Sequence, residues 1–318
     1  MRRSLLVLIC FAQFFILGCE TLRTREDIRR AVEPKSESGL SSPSYPREEN
    51  TGYENAIPVE TSEPSLPSLP KIGLILGGGG AKTFAHIGFL RELGKDKIPL
   101  HIIGGVEFAA PIAALYANKE QANEVEWQMF KLKDEDLYKK NMLGAKGVNG
   151  DISQLKEFLG TAFNKMKIES FAVPYACPSY NFKKNQVYLM NRGSLPQVMS
   201  LCMAYPPMYK PVDGAVAGMR DITSLANYMR SKGANYIVFV NVLEKPGKNF
   251  FANELNSENV LWGEIAGLYN KPLASVDAVV TIDTAKYGMM EFEKRRDIMN
   301  QGTSSFQQFK NLVRRWGL

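Results

Sequence analysis

Residues 71–118, KIGLILGGGGAKTFAHIGFLRELGKDKIPLHIIGGVEFAAPIAALYAN, constrain this chain more than any other stretch. A short apolar run, residues 71–76, ends in four consecutive glycines: Gly77, Gly78, Gly79 and Gly80. Beyond them Ala85, Gly88, Phe89 and Leu93 recur at helical spacing. Residues 99–103 form a second apolar run, Gly104 and Gly105 break it, and residues 109–117 are helical again. The order is strand, glycine loop, helix, strand, sharp turn, helix. In a parallel α/β sheet both strand-to-helix turns open on the same edge, the usual place for chemistry. One turn offers backbone N–H groups. The other holds Glu107 at the tip of a tight bend.

The rest of the chain continues the alternation. Residues 120–142 read as a charged helical hairpin. Residues 151–163 place Ile152, Leu155, Phe158, Leu159 and Phe163 at helical spacing, with Asp151 as a cap. Residues 171–182 and 186–191 read as a strand pair, and residues 195–203 as a helix. Residues 225–232 form a helix closed by Gly233. YIVFVNV, residues 236–242, is a continuous apolar run that predicts a buried central strand. Residues 253–268 are helix or loop, and residues 276–282 a further strand. Two helices, residues 289–300 and 304–316, close the chain. The alternation predicts a three-layer α/β/α domain over residues 71–318 with a mainly parallel central sheet.

Composition bears on partners. The 318 residues are 45% hydrophobic, enough for one large core or two modest ones. Residues 1–70 carry 8 basic and 10 acidic side chains, leaving 31 basic and 23 acidic for the rest, a net of +8. A mildly basic body suits an anionic surface or ligand. No basic run interleaved with aromatics points to nucleic acid. The four cysteines, Cys10, Cys19, Cys177 and Cys202, show no metal-ligand spacing, and His86 and His101 are the only histidines, so no metal is expected. Nothing calls for a cofactor, and no protein partner is legible.

Residues 1–18 read as an export signal: Arg2 and Arg3, then an apolar run too short to span a bilayer comfortably. The run ends in Ile16-Leu17-Gly18-Cys19, which resembles a bacterial lipobox. That resemblance implies acylation of Cys19 and anchoring in membrane lipid, each buried CH₂ contributing about 0.8 kcal/mol. An ordinary signal peptide or an uncleaved anchor is the alternative. Glu20, rather than Asp, after the cysteine implies an exported lipoprotein of a Gram-negative outer membrane. Residues 19–70 are rich in Ser, Pro and Glu and poor in large apolar residues, so a disordered tether is expected.

LGGGGAKT admits three readings. A phosphate loop fails twice, since Ala81 precedes Lys82 and the first glycine position falls on Leu76. A dinucleotide fingerprint lacks its acidic residue about 20 positions on. The third is an oxyanion loop, N–H groups at a helix start that stabilise a developing negative charge. It gains from Gly105-Val106-Glu107-Phe108-Ala109, which stands where a nucleophile elbow, Gly-x-Ser-x-Gly, would stand between strand and helix. The stretch resembles the start of a patatin-like phospholipase domain. Gly77–Gly80, Lys82 and Ala85-His86-Ile87-Gly88 match its basic oxyanion loop and following helix, and residues 110–117 match the helix after the elbow. Residues 200–212, SLCMAYPPMYKPV, are similar to the segment that leads to the family's catalytic Asp. In all, residues 71–302 are covered.

The resemblance implies a Ser–Asp dyad without a catalytic His, and both members are replaced. Glu107 stands at the nucleophile position, and Phe108 and Ala109 replace small elbow residues. Counting back from Gly233-Ala234-Asn235 puts Ala217 at the Asp position. Asp213-Gly214-Ala215 spells the motif but falls in an earlier turn, and Asp221 is a second decoy. A carboxylate at the elbow would give an anhydride as its acyl adduct, with no base to activate water. The expectation is therefore an inactive homologue with an acyl- or phospholipid-binding or envelope-scaffold role; a hydrolase with a non-standard site is the alternative. Glu107 either accepts N–H bonds from Gly78–Gly80 and pairs with Lys82, or points into a solvated crevice. Cys202 and Ser200 are the other candidate nucleophiles, with core packing the simpler role for Cys202. His86 reads as a packed histidine. The stripe Phe306, Phe309, Leu312, Val313 and Trp316 reads as core packing or as a membrane or partner contact.

Overall fold

The computed structural model describes residues 69–137, 150, 152–163, 166–206, 208–244 and 257–318. All lie in the second of the chain's two units, Pro64–Leu318. The expected signal, Cys19, tether and Asp151 cap lie outside the described residues.

The sheet is built around β1 (Ile72–Leu76), whose five residues are all buried. A strand buried on both faces has neighbours on both edges and helices above and below. β2 (Ile102–Gly105) lies parallel on one side and β6 (Tyr236–Asn241) parallel on the other. β3 (Tyr175–Asn181) continues parallel beyond β2, and β7 (Ala278–Thr281) parallel beyond β6. The order is β4-β3-β2-β1-β6-β7, with β4 (Gln186–Met190) antiparallel to β3. β5 (Ala215–Ala217) pairs antiparallel with residues 179–181 of β3, beyond the point where β2 stops. The sheet is thus mostly parallel.

Side chains alternate across it. Leu74 and Leu76, with Val238 and Val240, enter one core. Ile75, with Ile237 and Phe239, enters the other. The first core is covered by α1 (Ala85–Lys95), α2 (Ala109–Lys119), α3 (Ala122–Phe130), α4 (Asp134–Leu137), α5 (Ser153–Phe163), α6 (Leu195–Met203) and α9 (Arg295–Arg315). The second is covered by α7 (Ile222–Ser231) and α8 (Ser257–Tyr269). The α/β/α layering follows.

Three expectations need correction, two of them through glycine. Gly104 and Gly105 do not break the second strand; they end it from inside. A Cβ on Gly104 would lie 2.6 Å from the Ala176 carbonyl of the neighbouring strand, so the residue is chosen for close approach rather than as a turn. The two closing helices are one, α9, preceded by a 3₁₀ turn at Phe292–Lys294. Gly302, which suggests a break in the sequence, lies inside it against α1. A Cβ there would sit 1.8 Å from the Ala85 carbonyl, and one on Gly88 would sit 1.9 Å from the Met299 carbonyl. The helices cross backbone to backbone at this pair. Phe89 then reaches Phe306 and Phe309 edge-on at 5.2 and 5.3 Å. Third, α7 starts at Ile222, three residues earlier than the apolar pattern indicates.

The aromatic stripe of α9 packs inward. Phe306, Phe309 and Val313 are buried, and Trp316 stacks on Tyr236 with centroids 4.3 Å apart. Cys177 on β3 and Cys202 on α6 form a disulfide in the buried core. Cys202 therefore serves packing and cross-linking and has no free thiol. Among the described residues no helix is long and apolar enough to cross a membrane.

Candidate functional site

β1 and β2 end side by side, so the turns that follow them face each other. The first turn leaves β1 at Gly77, whose N–H bonds the Val240 carbonyl of β6 at 2.9 Å. Gly80 adopts φ +54° and opens a 3₁₀ turn, Gly80–Phe84, that leads into α1. The second turn is hung from the first strand: the Val106 N–H donates to the Leu76 carbonyl at 3.0 Å. Ala109 N–H returns to the Val106 carbonyl at 3.0 Å, and Ala110 N–H to that of Glu107 at 2.9 Å. These bonds hold Glu107 at φ +54°, a left-handed backbone that side chains other than glycine seldom adopt. Gly105 permits the tightness, because a Cβ there would lie 2.3 Å from the Ala109 carbonyl. Phe108, where the resemblance implies a small residue, turns into the core and meets Phe292 at 5.0 Å.

Glu107 is fully buried, and its Oε2 accepts from Gly79 N–H and Gly80 N–H, each at 3.0 Å. Ala81 N–H, next in line, donates to the Met289 carbonyl at 2.7 Å. Every N–H from Gly79 to Ala81 therefore has an acceptor inside the protein. Oε1 of Glu107 is buried and has no hydrogen-bond partner. Burial pushes the Glu107 carboxyl up to about 7, against the opposing pull of the Phe108, Gly80 and Gly79 N–H groups. Tyr205, Tyr209 and Tyr269 stand near enough to feel its charge; burial is the larger reason that all three hydroxyls are raised. Gly78 packs against the side chain itself. A Cβ on Gly78 would lie 2.9 Å from the Glu107 Cβ and 2.6 Å from the Met219 sulfur.

The other expected residues fall in three groups. Lys82 is at the site but does not pair with Glu107. It turns away to Glu244, with Nζ 2.8 and 2.9 Å from the two carboxylate oxygens. Lys82 is 2% exposed and Glu244 23%, so the lysine finds its counter-charge at the partly wetted end of β6 rather than in the dry pocket. Ala217 is buried on β5, its N–H bonded to the Ala204 carbonyl at 2.7 Å, and brings no acid. Asp213, which is exposed, sits on a two-residue hairpin turn with the buried Gly214, φ +52° and +79°, between the paired residues Val212 and Ala215. Ser200 Oγ is bonded to the Gln197 carbonyl within its own helix at 2.7 Å. His86 is buried, and Nε2 lies 2.8 Å from the Gly77 carbonyl, which requires Nε2–H as donor. Burial lowers its pKa to about 4, so it is neutral.

With the geometry in view, comparison with known proteins is informative. Residues 74–224 match the family described as patatin-like phospholipase. The stretch is similar to a patatin-like phospholipase domain. Lysophospholipase nte1 of Neurospora crassa is 25% identical over 289 residues, covering 78% of this chain and 19% of that protein. Mouse patatin-like phospholipase domain-containing protein 7 is 29% identical over 190 residues, covering 54% and 13%. This chain thus spans less than a fifth of the length of these relatives. Among solved structures, VipD from Legionella pneumophila aligns with a TM-score of 0.38 at 12% identity, over 75% of this chain and 66% of that one.

Sequence reasoning missed Glu244, Met219 and the Met289 carbonyl. Glu244 had a usable signal: it follows the apolar run of residues 236–242, so it falls on the same sheet edge as the glycine loop. The Met289 carbonyl had none, because a backbone acceptor carries no residue identity.

Proposed function

We propose that this patatin-like domain does not hydrolyse acyl esters and serves as an exported, lipid-anchored binding or scaffold protein of the cell envelope. One observation carries the reading: Glu107 Oε2 occupies the N–H groups of Gly79 and Gly80. Those donors are the ones an acyl-transfer transition state requires for its oxyanion. A carboxylate already bound there supplies the negative charge from within. The missing acid at Ala217 supports the same reading, since the position that the resemblance gives to the dyad acid carries no group to take a proton from a nucleophile. The Cys177–Cys202 disulfide supports export, because such cross-links persist in oxidising compartments. Acylation of Cys19 would hold the chain to membrane lipid, consistent with the basic surplus of residues 71–318.

Two measurements test this. Purified protein is expected to show background turnover of short acyl esters and of phospholipid vesicles, with Glu107→Ala unchanged from the parent. Turnover by the parent that disappears in Glu107→Ala would overturn the reading. It would favour the second one, a hydrolase with a non-standard site, to which the carboxyl at about 7 lends support because a general base works best near the ambient pH. Separately, chain isolated from its native cells is expected to take up no thiol label at Cys177 or Cys202 after unfolding, and to take up label at both after reduction. Labelling without reductant would remove the argument for export.

A further inference from the structure

Beside β5 lies a cavity of about 390 Å³, walled by Tyr180, Tyr205, Val216, Ala217 and Met219, with Arg220 and Asp221 as its charged groups. The volume and the mainly apolar wall are those of a small-molecule site. Its two charges are not equally free. Arg220 is turned to Glu264 at 2.5 Å, in an exposed ion pair. Asp221 is half-buried and stands at the N-cap position of α7, yet its side chain makes no capping bond. Nor does its carboxylate have an ion-pair or hydrogen-bond partner among the described residues. It is pressed instead against the backbone: a Cβ on Gly218 would lie 2.9 Å from Asp221 Oδ2 and 2.7 Å from the Pro178 Cβ. Burial raises its pKa.

We propose that this cavity binds an organic ammonium ion with an apolar arm, Asp221 serving as the counter-ion. The cavity wall holds one cation, Arg220, already paired with Glu264, and one carboxylate, Asp221. An entering anion would meet Asp221 and have to displace Glu264 from Arg220. An entering cation meets an unpaired carboxylate and completes its removal from water. Tyrosine rings and a thioether line the space beside it, and aromatic walls attract ammonium groups. Val216, Ala217 and Met219 supply the apolar surface for the arm. The cavity adjoins the glycine loop through Ala217 and Met219, and the inference goes beyond the proposed function because it concerns the binding of a cation and not turnover.

Calorimetric titration of the purified full chain with hexyltrimethylammonium, hexane-1-sulfonate and hexanol tests it, each probe kept below its micellar range. The ammonium is expected to bind at least about tenfold tighter than the sulfonate or the alcohol, a ratio within reach of one charge pair with an aromatic contact, neither of which needs an N–H donor. Asp221→Asn is expected to lose about that factor, and Arg220→Gln to lose none. Equal binding of ammonium and sulfonate, tighter binding of the sulfonate, or no binding of the ammonium overturns the proposal. The comparison of probes on the parent protein stands even if Asp221→Asn does not fold. A hydrolase result in the ester assay would leave this inference intact, and failure here would leave the reading of Glu107 intact.

Discussion

Glu107→Gln is expected to gain stability over its parent as pH rises. The carboxyl titrates at about 7 in the folded protein and at the ordinary 4.5 when unfolded. Between those values the folded state holds the proton more tightly, so stability falls as pH rises and levels off above about 7. From pH 5 to pH 8 the loss is about 2–3 kcal/mol at about 1.4 kcal/mol per pH unit. As a difference between variant and parent, that corresponds to a melting temperature about 5–10 °C lower in the parent for a domain of this size. Glutamine keeps an acceptor for Gly79 and Gly80 and does not ionise. His86 works in the other direction. Its folded value of about 4 lies below the ordinary 6.5, so its contribution rises with pH up to about 6.5 and is constant above. The Glu107 slope therefore stands uncompensated only above pH 6.5. Urea unfolding of parent and variant at pH 5, 6.5 and 8 checks this. Parallel curves across that range would mean that Glu107 does not titrate inside the fold.

Gly302→Ala is expected to destabilise the protein by about 3 kcal/mol, at the upper end of the cost of overpacking a core. The substitution alone would favour a helix by about 1 kcal/mol. Here the added methyl would enter the Ala85 carbonyl at 1.8 Å, so α9 has to move off α1. The contacts of Phe89 with Phe306 and Phe309 loosen with it. Gly94, also in α1, is the control, because a Cβ there meets nothing within 4 Å. Gly94→Ala is expected to be neutral or stabilising by up to about 1 kcal/mol. If both variants melt alike, the close crossing of the two helices is wrong.

What the sequence made legible is what burial writes into residue type. Strands β1 and β6 are covered on both faces or nearly so, and they appear as apolar runs with no alternation. Glycine was the main source of error. One letter serves for a turn that needs a left-handed backbone, as at Gly80 and Gly233, and for a contact that leaves no room for a side chain, as at Gly104 and Gly302. Only the partner, distant in sequence, separates the two uses. The meeting of Glu107 with the glycine loop was within reach of the sequence, because parallel topology alone brings the two turns to one edge. Its detail was not: Gly79 and Gly80 donate, while Lys82 goes to Glu244, 162 residues away, a contact that no periodicity records.

The left-handed backbone at Glu107 limits what else position 107 can hold. Strain of this kind costs roughly 1–3 kcal/mol for a residue with a side chain. β-branched residues are excluded outright by their crowding at positive φ. Among the rest, only an acceptor carried two methylenes from the backbone reaches the bound position of Oε2, so aspartate falls short and glutamine is the near substitute. Two hydrogen bonds from the glycine loop offset the strain that the bend imposes. The bend and the occupied loop thus stabilise each other, and glycine at this one position would relax the first and empty the second. Open and closed forms of the loop are therefore separated by a single side chain, with the sheet edge that frames them left as it is.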